Sequence, residues 1–153
     1  MDVVIGIGNE LRGDDGIGPR VVEQLPEHPN LKRLIAHQLT PELSETIQMA
    51  DRVLFVDARL DGDVVSLESV EPSPHRGLGH SCTPCALMEW TKQACGKGPE
   101  AWLLSIPGRS FGLGEGLSRE AEALVPEATT MIRAWLRKEL LEPEAIGATQ
   151  EEA

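Results

Sequence analysis

The chain has 153 residues, of which 41% are hydrophobic and 25% charged, so it is long enough to bury one core, and it contains no apolar run that could cross a bilayer. Its net charge of −11 opposes binding to nucleic acid and anionic membranes, which attract proteins mainly through Lys and Arg, and favours neutral, basic or cationic partners such as metal ions. Three cysteines, an odd number in one region, argue against a secreted disulfide framework, and we therefore expect a protein of the reducing cytoplasm.

The first third of the chain alternates strand and helix patterns. Residues 2–7 (DVVIGI) are mostly β-branched and apolar, which predicts a buried strand. A helix is predicted from about residue 17 to 25, because its apolar residues fall on one face. Residues 31–39 predict a second strand, and a second helix is predicted from Thr40, as its N-cap, to about residue 50.

The strongest strand pattern in the chain is RVLFV at residues 52–56. It ends at Asp57, which places this carboxylate at the carboxyl end of the strand. Residues 64–70 alternate as an edge or antiparallel strand does. Residues 71–84 show no periodicity and predict a long functional loop, and a helix is predicted to follow it from about residue 84 to 94.

The last third of the chain predicts one more strand and one long helix. Residues 101–106 (AWLLSI) have the pattern of a buried strand, and residues 107–116 form a glycine-rich loop that can move. The final helix is predicted to begin near Ser118, as its cap, and to run to about residue 141. Pro126 is expected to kink this helix or to split it in two.

The order of these elements predicts the fold class. Because strand and helix alternate, we expect a single three-layer α/β domain over residues 1–142, with a central, mostly parallel twisted sheet flanked by helices. An acidic, disordered tail is expected over residues 143–153. Ligands of such sheets bind beyond the carboxyl ends of the strands. The turn at residues 8–15, Asp57 and the loop after Ile106 all follow strand ends, so we expect them along one edge.

The turn after the first strand, GIGNELRGDDGIG over residues 6–18, is the first candidate site. It opens a helix as a dinucleotide-binding fingerprint does, but Leu11 stands where the third fingerprint glycine would be. The carboxylates of Glu10, Asp14 and Asp15 would also repel a pyrophosphate at the helix N-terminus. Nucleotide binding is therefore disfavoured, and two interpretations stay open, most evenly for Asp14: the acids cap the helix, or they have a functional role.

Asp57 and His80 are the other candidates. A carboxylate at the end of an apolar strand needs a partner, so Asp57 is either a hydrogen-bonded structural residue or a ligand or catalytic acid at the sheet edge. With Asp15 and His80 it would form a set of two carboxylates and one imidazole, which suits a divalent metal such as nickel or zinc and leaves positions open for water or substrate. His37 ends the second strand and can reach the same edge.

Three motifs together resemble the hydrogenase maturation endopeptidase family: GIGNELRGDDGIG at the N-terminus, ADRVLFVDA around Asp57, and a loop histidine placed as H-x-x-x-P-x-x-L at His80. The resemblance extends from Met1 to about Leu140 and implies an α/β fold with a mostly parallel sheet. It also implies the family's activity, which removes a C-terminal extension from the large subunit of nickel-iron hydrogenases after nickel is inserted. The family's three metal-contacting positions match Asp15, Asp57 and His80, so the resemblance implies that these residues contact the metal and carry the reaction.

The chain departs from the family pattern in two places. Asp15 stands where some members carry Glu, which keeps the charge and shortens the reach of the side chain. Residues 37–41 (HQLTP) stand where many members carry a glycine-rich segment after the second strand. The substrate contacts of that segment therefore do not carry over to this chain.

Cys82 and Cys85 lie outside the family pattern and allow other interpretations. Together with His80 they can bind zinc, or they can form a redox C-x-x-C pair at a helix N-terminus, where a thiolate is stabilised. In the third interpretation, the small thiols only pack the start of the helix. A single C-x-x-C pair is a weak signal, which favours the packing role.

The sequence carries no G-x-S-x-G motif, no supported Ser-His-Asp or Cys-His arrangement and no HExxH motif. We therefore expect an endopeptidase in which Asp15, Asp57 and His80 engage nickel that the hydrogenase large-subunit precursor already holds, although other divalent metals can occupy the same site. The alternative is a non-catalytic maturation factor that binds nickel or a hydrogenase subunit. We expect a monomer that binds neither nucleic acid nor membranes.

Overall fold

Five strands form one sheet, which is parallel except for one edge strand. The computed structural model describes residues 1–74, 82–114 and 116–138. The strands are β1 (Asp2–Ile7), β2 (Leu31–Ala36), β3 (Arg52–Arg59), β4 (Ser66–Ser69) and β5 (Glu100–Pro107). Their order across the sheet is β2-β1-β3-β5-β4, and β4 pairs with β5 in the antiparallel direction.

The helices connect these strands and cover both faces of the sheet. They are α1 (Ile17–Glu23), α2 (Ser44–Ile47), α3 (Pro84–Cys95) and α4 (Arg119–Leu136). The start of α3 follows the usual rules, because the Thr83 hydroxyl accepts a hydrogen bond from the Ala86 N–H at 3.1 Å and Pro84 occupies the first helical position. The helix ends at a glycine cap, because Gly96 adopts the left-handed conformation with φ 86°.

The core consists of two apolar layers, one on each face of the sheet. Alternate residues of a strand point to opposite faces, so Val4 of β1 packs in the layer beneath α1 and α4, whereas Val3 and Ile5 pack in the layer beneath α2 and α3. Both layers are fully enclosed at their centres, where Phe55 and Trp135 are among the largest buried side chains. The predicted three-layer α/β class is confirmed. No helix within the described ranges is long and apolar enough to cross a membrane.

Several predicted elements have different bounds in the structure. The second strand, predicted over residues 31–39, ends at Ala36, and the strand predicted over residues 64–70 is β4, Ser66–Ser69. The helix predicted from Thr40 to residue 50 is only the one-turn α2, preceded by a 3-10 turn over Pro41–Leu43. The Thr40 hydroxyl does not cap this segment; it hydrogen-bonds the Glu42 carboxylate and lowers its pKa. The strand predicted to end at Asp57 continues to Arg59, because β3 is still paired with β5 there.

Pro126 lies inside α4 and does not split it. The helix is continuous over Arg119–Leu136, and Val125, Ala128 and Ile132 bury one face of it in the core on both sides of the proline. Tertiary packing thus outweighs the loss of one backbone hydrogen bond at the proline. The final residues predicted for this helix and the tail predicted over residues 143–153 lie outside the described residues.

Candidate active site

Asp57 lies at the carboxyl edge of the sheet because its neighbour β1 is shorter than β3. Ile7, the last residue of β1, is paired with Asp57, and Ser105 of β5 is paired with it on the other side. The side chain is half-buried, and its Oδ1 accepts a hydrogen bond of 2.8 Å from the Ala58 N–H. The carboxylate is therefore held at the edge where ligands of parallel sheets bind.

Asp15 is brought to the same edge by close backbone packing of the N-terminal turn. Gly8 has a positive φ of 146°, and a Cβ at this position would lie 1.8 Å from the Asp15 carbonyl oxygen. Only glycine allows this approach. The turn is closed by the Asn9 N–H, which donates to Asp15 Oδ2 at 2.7 Å. The glycines of the motif thus have a structural function, which is to fold the turn back so that Asp15 lies beside the end of β1.

The charge of Asp15 acts on the Asp57 carboxyl. Burial raises the pKa of Asp57 to about 6, against the opposing hydrogen bond from the Ala58 N–H, and the negative charge of Asp15 adds to the rise. A pair of acids in which one holds its proton more tightly is suited to proton transfer near neutral pH or to binding a cation that relieves the repulsion. The predicted proximity of Asp15 and Asp57 agrees with this geometry.

Asp14 has a different environment from Asp15. It is completely buried, and its carboxylate accepts hydrogen bonds from the N–H groups of Arg109, Ser110 and Ser118 and from the Ser118 hydroxyl, at 2.7–3.0 Å. Although burial by itself raises the pKa of Asp14, these hydrogen bonds outweigh it and lower the pKa below its usual value. The capping role proposed for Asp14 is not observed at α1, because the N-cap of this helix is Gly16 and no side chain caps it.

His80 lies outside the described residues, so the set of Asp15, Asp57 and His80 stays a prediction. The structure describes two of its three members and brings these two to one edge of the sheet. Within residues 1–74, 82–114 and 116–138, no three side chains of the His, Cys, Asp and Glu types converge closely enough to hold a metal ion. A complete site would require a ligand in addition to the two aspartates.

The cysteines are better described as packing residues than as a redox pair. All three are free, and both Cys82 and Cys85 pack against the core layer beneath α3. Burial raises the pKa of the Cys82 thiol, which disfavours the thiolate that redox chemistry or zinc binding needs. The third thiol, Cys95, donates to the Gln48 side chain at 2.6 Å.

His37 lies near the candidate site, in a cleft that the sequence did not predict. It is exposed after the end of β2, and it lines this cleft with Gly8 and Glu10 from the N-terminal turn and with Glu23 from α1. A side-chain hydrogen bond between Glu23 and Glu10 raises the pKa of Glu23, and partial burial and the negative charge of Glu10 add to the rise. This pair was missed since the two residues are thirteen positions apart and meet only when α1 packs beside the turn.

Exposed apolar residues on the surrounding loops were also missed. Leu11 follows β1, Leu60 and Val64 follow β3, and Leu113 follows β5, so all four lie on loops at the carboxyl ends of strands. These loops are bonded to one another: the Gly114 N–H donates to the Leu11 carbonyl at 2.9 Å. The exposed apolar side chains of these loops therefore lie at the same end of the sheet as Asp57.

Comparison with solved structures gives the fold a family context. The hydrogenase maturating endopeptidase HybD from E. coli matches with a TM-score of 0.76 and 22% identity, over 90% of this chain and 93% of that chain. The [NiFe] hydrogenase maturation protease HycI from Thermococcus kodakarensis matches with a TM-score of 0.66 and 25% identity, over 86% and 88%. The hydrogenase 2 maturation peptidase from Thaumarchaeota archaeon SCGC_AB-539-E09 matches with a TM-score of 0.65 and 24% identity, over 88% and 97%.

No protein-family model matches the chain, and no curated protein matches it in sequence. The likeness therefore lies in the backbone architecture, which extends over most of both chains in each comparison. The five paired strands, with two helices on each face, form a single α/β domain. The fold of this chain is the fold of the hydrogenase maturation endopeptidases, the family that its sequence motifs resemble.

Proposed function

We propose that this protein is an endopeptidase that removes the C-terminal extension of a nickel-iron hydrogenase large-subunit precursor after nickel insertion. The observation that carries the proposal is the placement of Asp15 and Asp57 at one edge of the sheet, with the pKa of Asp57 raised to about 6. The fold shared with maturation proteases supports it. The three free cysteines fit the reducing cytoplasm, where we place the protein.

Recognition of the substrate's nickel is the role that we assign to Asp15, Asp57 and His80. A cation between the two aspartates would relieve their repulsion and draw the proton from Asp57, so both would bind in the ionised form. The nickel would then polarise the scissile carbonyl or activate a water molecule. The absence of a nucleophile motif from the sequence supports a metal that comes with the substrate.

The precursor also needs a surface to dock on, and the apolar loops around the site suit this purpose. Leu11, Leu60, Val64 and Leu113 are exposed, and Leu113 is 90% exposed. Their loops follow the ends of β1, β3 and β5, so a protein bound to them would lie over Asp15 and Asp57. We propose that these side chains contact the folded part of the precursor while its extension enters the site.

The second candidate is a non-catalytic factor that binds nickel or a hydrogenase subunit and only checks assembly. The same lack of a nucleophile or HExxH motif favours it. One measurement distinguishes the two functions: whether the peptide bond of the precursor is cut.

The test is processing of purified precursor with and without inserted nickel, by protein stripped of metal with a chelator. We expect cleavage of the nickel-loaded precursor alone, because the empty site lacks the metal that polarises the carbonyl. Asp15→Asn and Asp57→Asn should each abolish cleavage, whereas the matched surface change Asp63→Asn should not, since that side chain is 89% exposed and pairs with Arg109.

Each alternative result has one meaning. Binding of the loaded precursor without cleavage would support the assembly factor. Equal cleavage of the loaded and nickel-free precursors by stripped protein would overturn the role of nickel and indicate a nucleophile of another kind.

A further inference from the structure

Asp14 connects two segments that are almost a hundred residues apart. Its carboxylate, completely buried, accepts hydrogen bonds from Arg109, Ser110 and Ser118, all in the loop between β5 and α4. Its own N–H donates to the Ser110 carbonyl at 2.7 Å. The residue therefore joins the N-terminal turn to this loop through both its backbone and its side chain.

The contact around Asp14 leaves little room for rearrangement. A Cβ on Gly108 would lie 2.9 Å from the Asp14 Cβ, and a Cβ on Gly13 would lie 2.5 Å from the Ser110 carbonyl oxygen. Gly13 also donates to the Gly114 carbonyl at 2.9 Å. The turn and the loop are thus packed against each other at backbone distance, and a charged group satisfied by several donors fixes their relative position.

Asp15 follows directly in the chain and has different partners. Its carboxylate accepts from the Asn9 N–H at 2.7 Å, and its charge acts on Asp57. Asp14 and Asp15 are consecutive residues of a 3-10 turn over Gly13–Gly16, so a shift of Asp14 must move Asp15. None of the hydrogen bonds that the structure describes for Asp14 goes to Asp57 or Asp15.

From this arrangement we propose that Asp14 is the positioning residue of the site: by anchoring the N-terminal turn to the β5–α4 loop, it fixes the place of the Asp15 carboxylate. This inference rests on the proposed function only where it concerns the effect of Asp14 on precursor processing. The effect of Asp14 on the position of Asp15 can be measured without any substrate.

The test compares Asp14→Asn with Asp63→Asn, the same chemical change at the exposed partner of Arg109 on the outside of the loop. An asparagine at position 14 keeps one acceptor oxygen and turns an NH2 group toward N–H donors. The readout is the hydrogen-exchange rate of the Asn9 amide, which is bonded to Asp15 and not to Asp14. We expect exchange on the order of tenfold faster in Asp14→Asn and unchanged exchange in Asp63→Asn.

A purely structural role predicts a different pattern. In that case Asp14→Asn would speed the exchange of the Ser110 and Ser118 amides while Asn9 exchanged as in the wild type, and this result would overturn the proposal. If Asp14→Asn does not fold, Ser118→Ala is measured in the same way, since it removes one donor to Asp14 and leaves the backbone donors in place. An acceleration of exchange at Asn9 that is smaller than in Asp14→Asn supports the proposal. Unchanged exchange at Asn9 overturns it.

Processing gives a second readout. With the nickel-loaded precursor, we expect Asp14→Asn to lower kcat with little change in KM, because the docking loops remain while the ligand is displaced. A rise in KM alone would contradict a positioning role. If the wild-type protein itself fails to cleave the precursor, the proposed function is wrong, and the exchange of Asn9 still decides the role of Asp14.

Discussion

At the scale of single residues, Asp57 lowers the stability of the fold at neutral pH. Its pKa is near 6 in the folded protein and close to 3.8 in an unfolded chain, so the folded state binds the proton more tightly. The resulting stabilisation is fully present below about pH 4 and is lost as the pH rises through about 6. At neutral pH the ionised, half-buried carboxylate beside Asp15 therefore destabilises the fold.

Asp57→Asn should accordingly raise the free energy of unfolding by about 1–3 kcal/mol at pH 8, because the amide removes the charge and keeps the acceptor for the Ala58 N–H. The difference in the free energy of unfolding between Asp57→Asn and the wild type should shrink as the pH falls toward 4. Urea unfolding of both proteins across this pH range measures it, with Asp63→Asn as the control. A variant that is less stable than the wild type at pH 8 would show that Asp57 is a structural residue.

The cysteine pair gives a second prediction at this scale. Cys82→Ser combined with Cys85→Ser should retain substantial processing of the nickel-loaded precursor, because both thiols pack against the core and burial raises the pKa of Cys82. The initial rate of cleavage measures this, with circular dichroism as the check on folding. Complete loss of processing by a normally folded double variant would restore the redox or zinc interpretation.

At the scale of secondary-structure elements, the position of α1 depends on glycines at its contact with the sheet. A Cβ on Gly18 would lie 2.5 Å from the Val56 carbonyl oxygen and 2.7 Å from that of Ile7. A Cβ on Gly6, in β1, would lie 2.8 Å from the Gly18 carbonyl oxygen. These are backbone atoms that cannot move aside as a flexible side chain can, so helix and sheet approach more closely than any other residue type would permit.

Gly18→Ala should therefore destabilise the protein by about 1–3 kcal/mol, the opposite of the usual gain when glycine is replaced inside a helix. Gly112→Ala is the matched control, since nothing lies within 4 Å of its Cβ position, and we expect a change of at most about 0.5 kcal/mol. Urea denaturation of the three proteins measures both values. If Gly18→Ala is as stable as the wild type, the close approach of α1 does not limit the fold.

At the scale of the whole molecule, the proposed site is shared between two proteins. The described residues contribute two carboxylates, Asp15 and Asp57, and such a set holds a divalent metal only moderately even when His80 completes it. The protein should then discriminate between nickel-loaded and nickel-free precursors, because Asp15, Asp57 and His80 bind a metal ion well only when the substrate brings it. Recognition would thereby depend on completed assembly.

We expect the isolated protein to bind nickel weakly and the nickel-loaded precursor far more tightly than the nickel-free precursor. Calorimetric titration with nickel, and then with each form of the precursor, measures these affinities. Asp15→Asn should remove most of the difference between the two precursors, because it removes one ligand from the shared site. Tight binding of nickel by the isolated protein would instead make it a metalloenzyme with its own ion.

The sequence by itself determined the order of the strands and main helices and the edge of the sheet on which Asp15 and Asp57 lie. The apolar, β-branched run at residues 2–7 forms β1 with the predicted bounds, and the glycine motif leads directly from it to Asp15. These features depend on periodicity, turn residues and the order of elements, which are local properties of the chain. For the same reason the three-layer α/β class could be predicted before the structure was known.

Only the tertiary structure decided which neighbouring acid serves which purpose. Asp14 and Asp15 are adjacent and chemically identical, yet one is buried against Ser118 and the other faces the site beside Asp57. Whether Thr40 caps a helix was likewise settled by its bond to Glu42. Such outcomes depend on contacts between residues that are distant in sequence or on competing hydrogen bonds, and a local pattern carries no information about which contact prevails.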